Sequence, residues 1–145
     1  MINSTSMARQ LRMLIFACVL AGSPVLADSL SPKETYLKYR ATLAAADKVE
    51  AIQPMCCKKV NEEIDQTPAD MKPKMFEFIK ATAPLSVEVL SEAVDGDTAT
   101  LNLSGKTEPA ASNVSERTLG KVTLVKEDGM WKIGKESWNS KVEVH

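Results

Sequence analysis

The chain has 145 residues, 44% of them hydrophobic and 26% charged, with 18 basic and 19 acidic side chains and one histidine. That is enough apolar material for one core, and the charges are interspersed rather than gathered into a basic stripe. Nucleic-acid binding therefore has no electrostatic support, a basic membrane-binding helix is missing from the sequence, and nothing is low-complexity enough to read as a disordered linker.

Residues 1–27 have the order of a secretory signal peptide. Arg9 and Arg12 supply a positive start with no acidic residue before Asp28. Met13 to Leu20 is a continuous apolar run, and Val25-Leu26-Ala27 suits cleavage before Asp28. Eight apolar residues fall far short of the ~20 needed to span a bilayer, so a membrane anchor is not expected. Acylation at Cys18 fits poorly, because Phe16 stands where a small residue is usual. The expectation is a periplasmic or secreted protein with one domain over residues 28–145. Without residues 1–27 the chain keeps 118 residues, and without Arg9 and Arg12 it has 16 basic and 19 acidic side chains, a net charge of −3.

Ser31-Pro32-Lys33-Glu34 opens the first helix with a cap, a proline at the first helical position and a glutamate that completes a capping box. Tyr36, Tyr39, Leu43 and Ala46 then share one apolar face. A second helical stretch lies between Val49 and Ile64, interrupted by Pro54, with Val49, Ile52, Met55 or Cys56, and Val60 facing inward. A third runs to about Thr82, starting at Thr67 or at Asp70, with Met71, Met75 and Phe78 or Ile79 inward.

After Pro84 the period changes to two. Val87 and Val89 alternate with Glu88, and Asp95-Gly96 signals a tight hairpin. Ala99, Leu101 and Leu103 continue the alternation, and Gly105 to Asn113 reads as a loop. The third strand spans about Val114 to Lys126, with Val122 and Leu124 on one face. Asp128-Gly129 turns into a fourth strand that carries Trp131 and Ile133 and extends toward Trp138. Three helices followed by a four-stranded antiparallel meander make an α+β fold, with the helices packed on one face of a curved sheet.

Three segments carry a family resemblance. Ser31 to Thr35 leading into Tyr36, Tyr39 and Leu43, the Val94-Asp95-Gly96-Asp97-Thr98 hairpin, and Val122 to Ile133 with its Trp-Lys-Ile strand resemble nuclear transport factor 2-like domains. The branch they are most similar to is the exported bacterial domains of unknown function sometimes labelled lumazine-binding-like. The resemblance implies a cone, in which the sheet wraps around the first helix and a pocket opens at one end. It covers enzymes such as ketosteroid isomerases and polyketide cyclases as well as non-enzymatic binding and assembly modules, and fold does not choose among them.

No catalytic set can be assembled. The histidine is the terminal His145, and Asp95, Asp97 and Asp128 sit at turns. No metal or cofactor is expected, because Cys-Cys plus a terminal histidine has neither the count nor the spacing of a metal site. Tyr36, Tyr39, Arg40 and Trp131 are the candidate ligand-binding residues, with ordinary core aromatics and a solvated arginine as the alternative. Cys56 and Cys57 keep three readings open: packed inert thiols, a vicinal disulfide, or a reactive or intermolecular thiol. The function expected is an exported, non-enzymatic module for a small apolar ligand or a protein partner. The alternatives are an isomerase- or cyclase-like enzyme using a polar group inside the cone, and a homodimeric or envelope-assembly subunit.

Overall fold

A computed structural model describes residues 29–106 and 114–144. The leader with Cys18, most of the 105–113 loop and His145 lie outside the described residues. The elements are α1 (Pro32–Ala45), two 3-10 turns (Val49–Ala51 and Gln53–Met55), α2 (Lys58–Gln66), α3 (Lys72–Thr82), β1 (Ser86–Asp95), β2 (Thr98–Lys106), β3 (Val114–Glu127) and β4 (Met130–Val144). The strands form one antiparallel sheet in the order β1-β2-β3-β4. The architecture is α+β, helices first and then a curved meander.

The capping box forms as the sequence dictates: Ser31 Oγ accepts from the Glu34 N–H at 3.2 Å, and Glu34 Oε2 accepts from the Ser31 N–H at 2.8 Å. The sheet adds caps that the sequence does not announce. Glu92 of β1 accepts from the Lys33 N–H at 2.8 Å, and Glu127 of β3 from the Lys58 N–H at 3.1 Å. Each places a carboxylate against the positive end of a helix.

Tyr36, Tyr39 and Leu43 of α1 bury against Leu101 and Leu103 of β2, Val122 and Leu124 of β3, and Trp131 and Ile133 of β4. The second helical stretch is shorter than its apolar pattern. Pro54 removes an N–H and the chain runs as 3-10 turns until Cys56, yet Val49, Ile52 and Cys56 still point inward. The third helix begins at Lys72, with Pro73 in its first turn. Its buried aromatic is Phe76, whereas Phe78, about 200° further round, is 68% exposed, and Met71 is 44% exposed.

Both hairpins close with two-residue turns. Asp128 and Gly129 both have positive φ (51° and 76°), the pattern of a type I′ turn. In the first hairpin Asp95 pairs with Thr98, so the turn residues are Gly96 and Asp97, one position later than the Asp-Gly dipeptide suggests. Gly96 takes the positive φ (57°), and the Asp97 carbonyl accepts from the Lys126 N–H at 2.7 Å, tying this turn to β3.

Candidate functional site

A bulge in β4 decides what the concave face of the sheet carries. Val122 pairs with Glu136 and Leu124 with Ile133, so two residues of β4, Gly134 and Lys135, oppose Thr123 alone. The extra residue shifts the alternation by one. Trp131 and Ile133 face inward before the bulge, and Glu136 and Trp138 face inward after it. A Cβ at Gly134 would stand 2.8 Å from the Thr123 carbonyl oxygen, so the bulge needs glycine there.

Two hydrogen-bond donors and a cation converge on Glu136 Oε1. The Tyr36 hydroxyl donates at 3.1 Å, Trp138 Nε1 donates at 2.5 Å, and Arg40 Nη1 forms an ion pair at 3.8 Å. Arg40 Nη2 also donates to the Pro84 carbonyl at 2.6 Å, which fixes the guanidinium between α1 and the start of β1. Burial, reinforced by the Glu136 charge, pushes the pKa of Tyr36 and Tyr39 far above the ordinary phenol value, with Arg40 opposing it. A phenol held there donates a hydrogen bond at neutral pH and does not serve as a base. Tyr36 is fully buried.

Beside this cluster runs an open groove of about 450 Å³. One wall is Leu37, Ala41 and Ala44 of α1, a stripe at i, i+4 and i+7. Ala83 and Pro84 after α3, then Leu85 and Val87 leading into β1, form the other. Its charged walls are Arg40 and Lys80, both cations. Lys80 donates to the Ala46 carbonyl at 2.6 Å and makes no ion pair with any described side chain.

Of the residues singled out in the sequence, Arg40 lines the groove. Tyr36 and Tyr39 lie one helical step away in the core, their ring centroids 6.2 Å apart. Trp131 is buried nearer the second hairpin, with Lys126 Nζ 5.5 Å from its ring centroid. Cys56 and Cys57 are free and each 4% exposed, on extended backbone just before α2. The Cys57 N–H donates to the Ile133 carbonyl at 2.8 Å, so this segment covers part of the free edge of β4. Burial, reinforced by Cys57, pushes the Cys56 thiol up to about 11. Among the described residues no cluster of histidine, cysteine or carboxylate side chains is placed to hold a metal ion. None of their helices is long and apolar enough to cross a membrane.

Two participants escape a reading of the sequence alone. Glu136 and Trp138 change face only because of the bulge. The second stripe of α1 was legible as Leu37, Arg40, Ala41 and Ala44 at i, i+3, i+4 and i+7, but the aromatic stripe beside it is stronger.

No protein-family model matches the chain, and no curated protein matches it. Solved structures do. The chain is similar to a SEC-C motif containing protein from Rhodopseudomonas palustris, at 15% identity and a TM-score of 0.54, over 74% of this chain and 77% of that one. It is also similar to an NTF2-like protein of unknown function from Shewanella baltica OS155, at 12% identity and a TM-score of 0.45, over 75% of this chain and 93% of that one. The first of these likenesses is one of fold.

Proposed function

We propose that this chain is an exported, non-enzymatic module of the cone-shaped nuclear transport factor 2-like kind that binds a small apolar ligand in the groove between α1 and the start of β1. The observation that carries this reading is the groove itself. At about 450 Å³ it falls within the ~300–1,000 Å³ usual for small-molecule sites. Ala41 and Ala44 keep its floor open where larger side chains would close it, and Leu37 and Leu85 stand 40% and 74% exposed at its rim. Export is supported by the sequence order of residues 1–27.

One observation favours an isomerase- or cyclase-like enzyme: a buried phenol on a carboxylate, Tyr36 on Glu136, inside the cone. Binding is the better reading because Tyr36 is fully buried, forms no wall of the groove, and stays protonated at neutral pH.

The test uses a neutral apolar dye such as Nile red. Fluorescence should rise on addition of the chain and stay at its free value with Ala44→Trp, a change at an exposed position that fills the groove without touching the core. Equal dye binding by both proteins would place the site elsewhere.

A further inference from the structure

The groove's charge is as informative as its shape. Among the described residues its walls carry two cations and no carboxylate. One carboxylate, Glu136, reaches Arg40 from behind, and it also receives the Tyr36 hydroxyl and the Trp138 indole N–H. Its single negative charge offsets Arg40 and leaves the positive charge of Lys80 uncompensated. The groove and its backing therefore carry a net charge of about +1, beside apolar surface of Leu37, Ala41, Ala44, Leu85 and Val87.

Both cations also keep donors to spare. A guanidinium has five N–H groups, and Arg40 directs one to the Pro84 carbonyl. An ammonium has three, and Lys80 directs one to the Ala46 carbonyl. These two bonds anchor the cations to separate elements, Arg40 on α1 to the α3–β1 connection and Lys80 on α3 to the end of α1. The head groups are thereby oriented in advance, which lowers the ordering cost of binding.

We infer that the ligand is a single-chain carboxylate amphiphile, its carboxylate received by Arg40 and Lys80 and its alkyl chain laid along Leu37, Ala41, Ala44, Leu85 and Val87. The inference rests on the groove's being the binding site. A monoanion neutralises the one uncompensated charge. A phosphate monoester, with nearly two negative charges at neutral pH, leaves an excess. A cationic amphiphile meets repulsion from both walls.

The experiment is calorimetric titration of the full chain with decanoate, decyltrimethylammonium and decyl phosphate below their micelle-forming concentrations, and with decanol below its solubility limit. Decanoate should bind about tenfold more tightly than decanol, the equivalent of one charge-assisted hydrogen bond, and decyltrimethylammonium should not bind. Lys80→Gln, which removes the charge and the cation lying 5.7 Å from the Phe76 ring centroid while keeping an N–H that can donate, should erase the preference for decanoate over decanol. Arg40→Met should do the same if the variant folds.

Equal affinity for decanoate and decanol, both lost with Ala44→Trp, would overturn the carboxylate and leave the groove as the ligand site. Tighter binding of decyl phosphate would overturn it in favour of a dianion. Binding that survives Ala44→Trp would overturn both the ligand class and the groove. A concentration-dependent doubling of mass that Ala44→Trp abolishes would assign the groove to a second copy of the chain, and overturn both as well.

Discussion

Gly120 and Trp138 are cross-strand partners on β3 and β4, and the indole of Trp138 fills the space that a side chain at Gly120 would need. A Cβ built there would stand 2.5 Å from two ring carbons. The same ring comes within 3.0 Å of a Cβ built on Gly105 of β2, so it spans two glycines on the concave face. From there its N–H reaches Glu136. Gly120→Ala therefore forces the indole off its seat and strains that bond. Destabilisation of about 1–3 kcal/mol is expected, as for an overpacked core, read as a lower urea midpoint with altered Trp emission. An unchanged midpoint would mean that the ring has a second seat of equal quality.

The bulge at Gly134 sets the phase of the last strand, and its obstacle is backbone rather than a flexible side chain. Gly134→Ala must push the new Cβ against the Thr123 carbonyl at 2.8 Å, or shift the register. A cost of about 1–3 kcal/mol is again expected. The sharper readout is the near-ultraviolet circular dichroism of the tryptophans, which should change if Glu136 and Trp138 leave the concave face. Wild-type spectra and stability together would count against the bulge as the device that places them.

Stability should decline above pH 9. Cys56, Tyr36 and Tyr39 are neutral when protonated, and burial raises all three above their unfolded values of 9.0, 10.0 and 10.0. Each contributes stability that is fully present below its unfolded value and is lost as pH rises toward the folded one. For Cys56 the window is pH 9 to about 11, and the tyrosines join from pH 10. The unfolded chain then binds fewer protons than the native one, so each group lowers stability by at most about 1.4 kcal/mol per pH unit. Urea midpoints at pH 7, 9 and 10.5 in reducing buffer should fall, and Tyr39→Phe should flatten the fall above pH 10. A flat profile would show that these groups ionise as freely in the native state as in the unfolded one.

Thiol reactivity follows the same burial. In a Cys18→Ser background, Cys56 and Cys57 should react with Ellman's reagent only as fast as the fold opens, and quickly in urea. Rapid reaction of one thiol in native buffer would identify an accessible, reactive cysteine. A mass two hydrogens short, with no reactive thiol in urea, would identify the vicinal disulfide.

Export gives a prediction of its own. The chain recovered from the periplasm of a bacterial host should begin at Asp28. A product that keeps Arg9 and Arg12 in the cytosol would overturn the signal-peptide reading, and one that begins with an acylated Cys18 would replace it with a lipoprotein.

Much of the fold was legible in local chemistry. The Ser31–Glu34 capping box involves groups three residues apart, and it forms as read. The aromatic stripe of α1 and the Ala99-Leu101-Leu103 alternation follow from the periods of helix and strand. Phe76 was missed because a helix's inward face depends on where its first turn starts, and Pro73 moved that start past both candidate caps.

The candidate site was less legible. Arg40 was named, but its value lies in the Pro84 carbonyl, 44 residues away, and in Glu136, 96 residues away. Glu136 and Trp138 carry no local sign of facing inward, since a bulge is a mismatch between two strands rather than a property of one.

By itself, then, the sequence determined the order of helices and strands, the capped start of α1 and the buried faces of β2 and of β3 around Val122 and Leu124. Those depend on backbone propensity and side-chain period within a few residues. Only the tertiary structure decided the phase of β4 beyond Gly134, the carboxylate caps from Glu92 and Glu127, and the meeting of two cations over an apolar groove. Each of these needs two segments far apart in the chain to come together, and their positions are set by packing across the sheet rather than by neighbours along it.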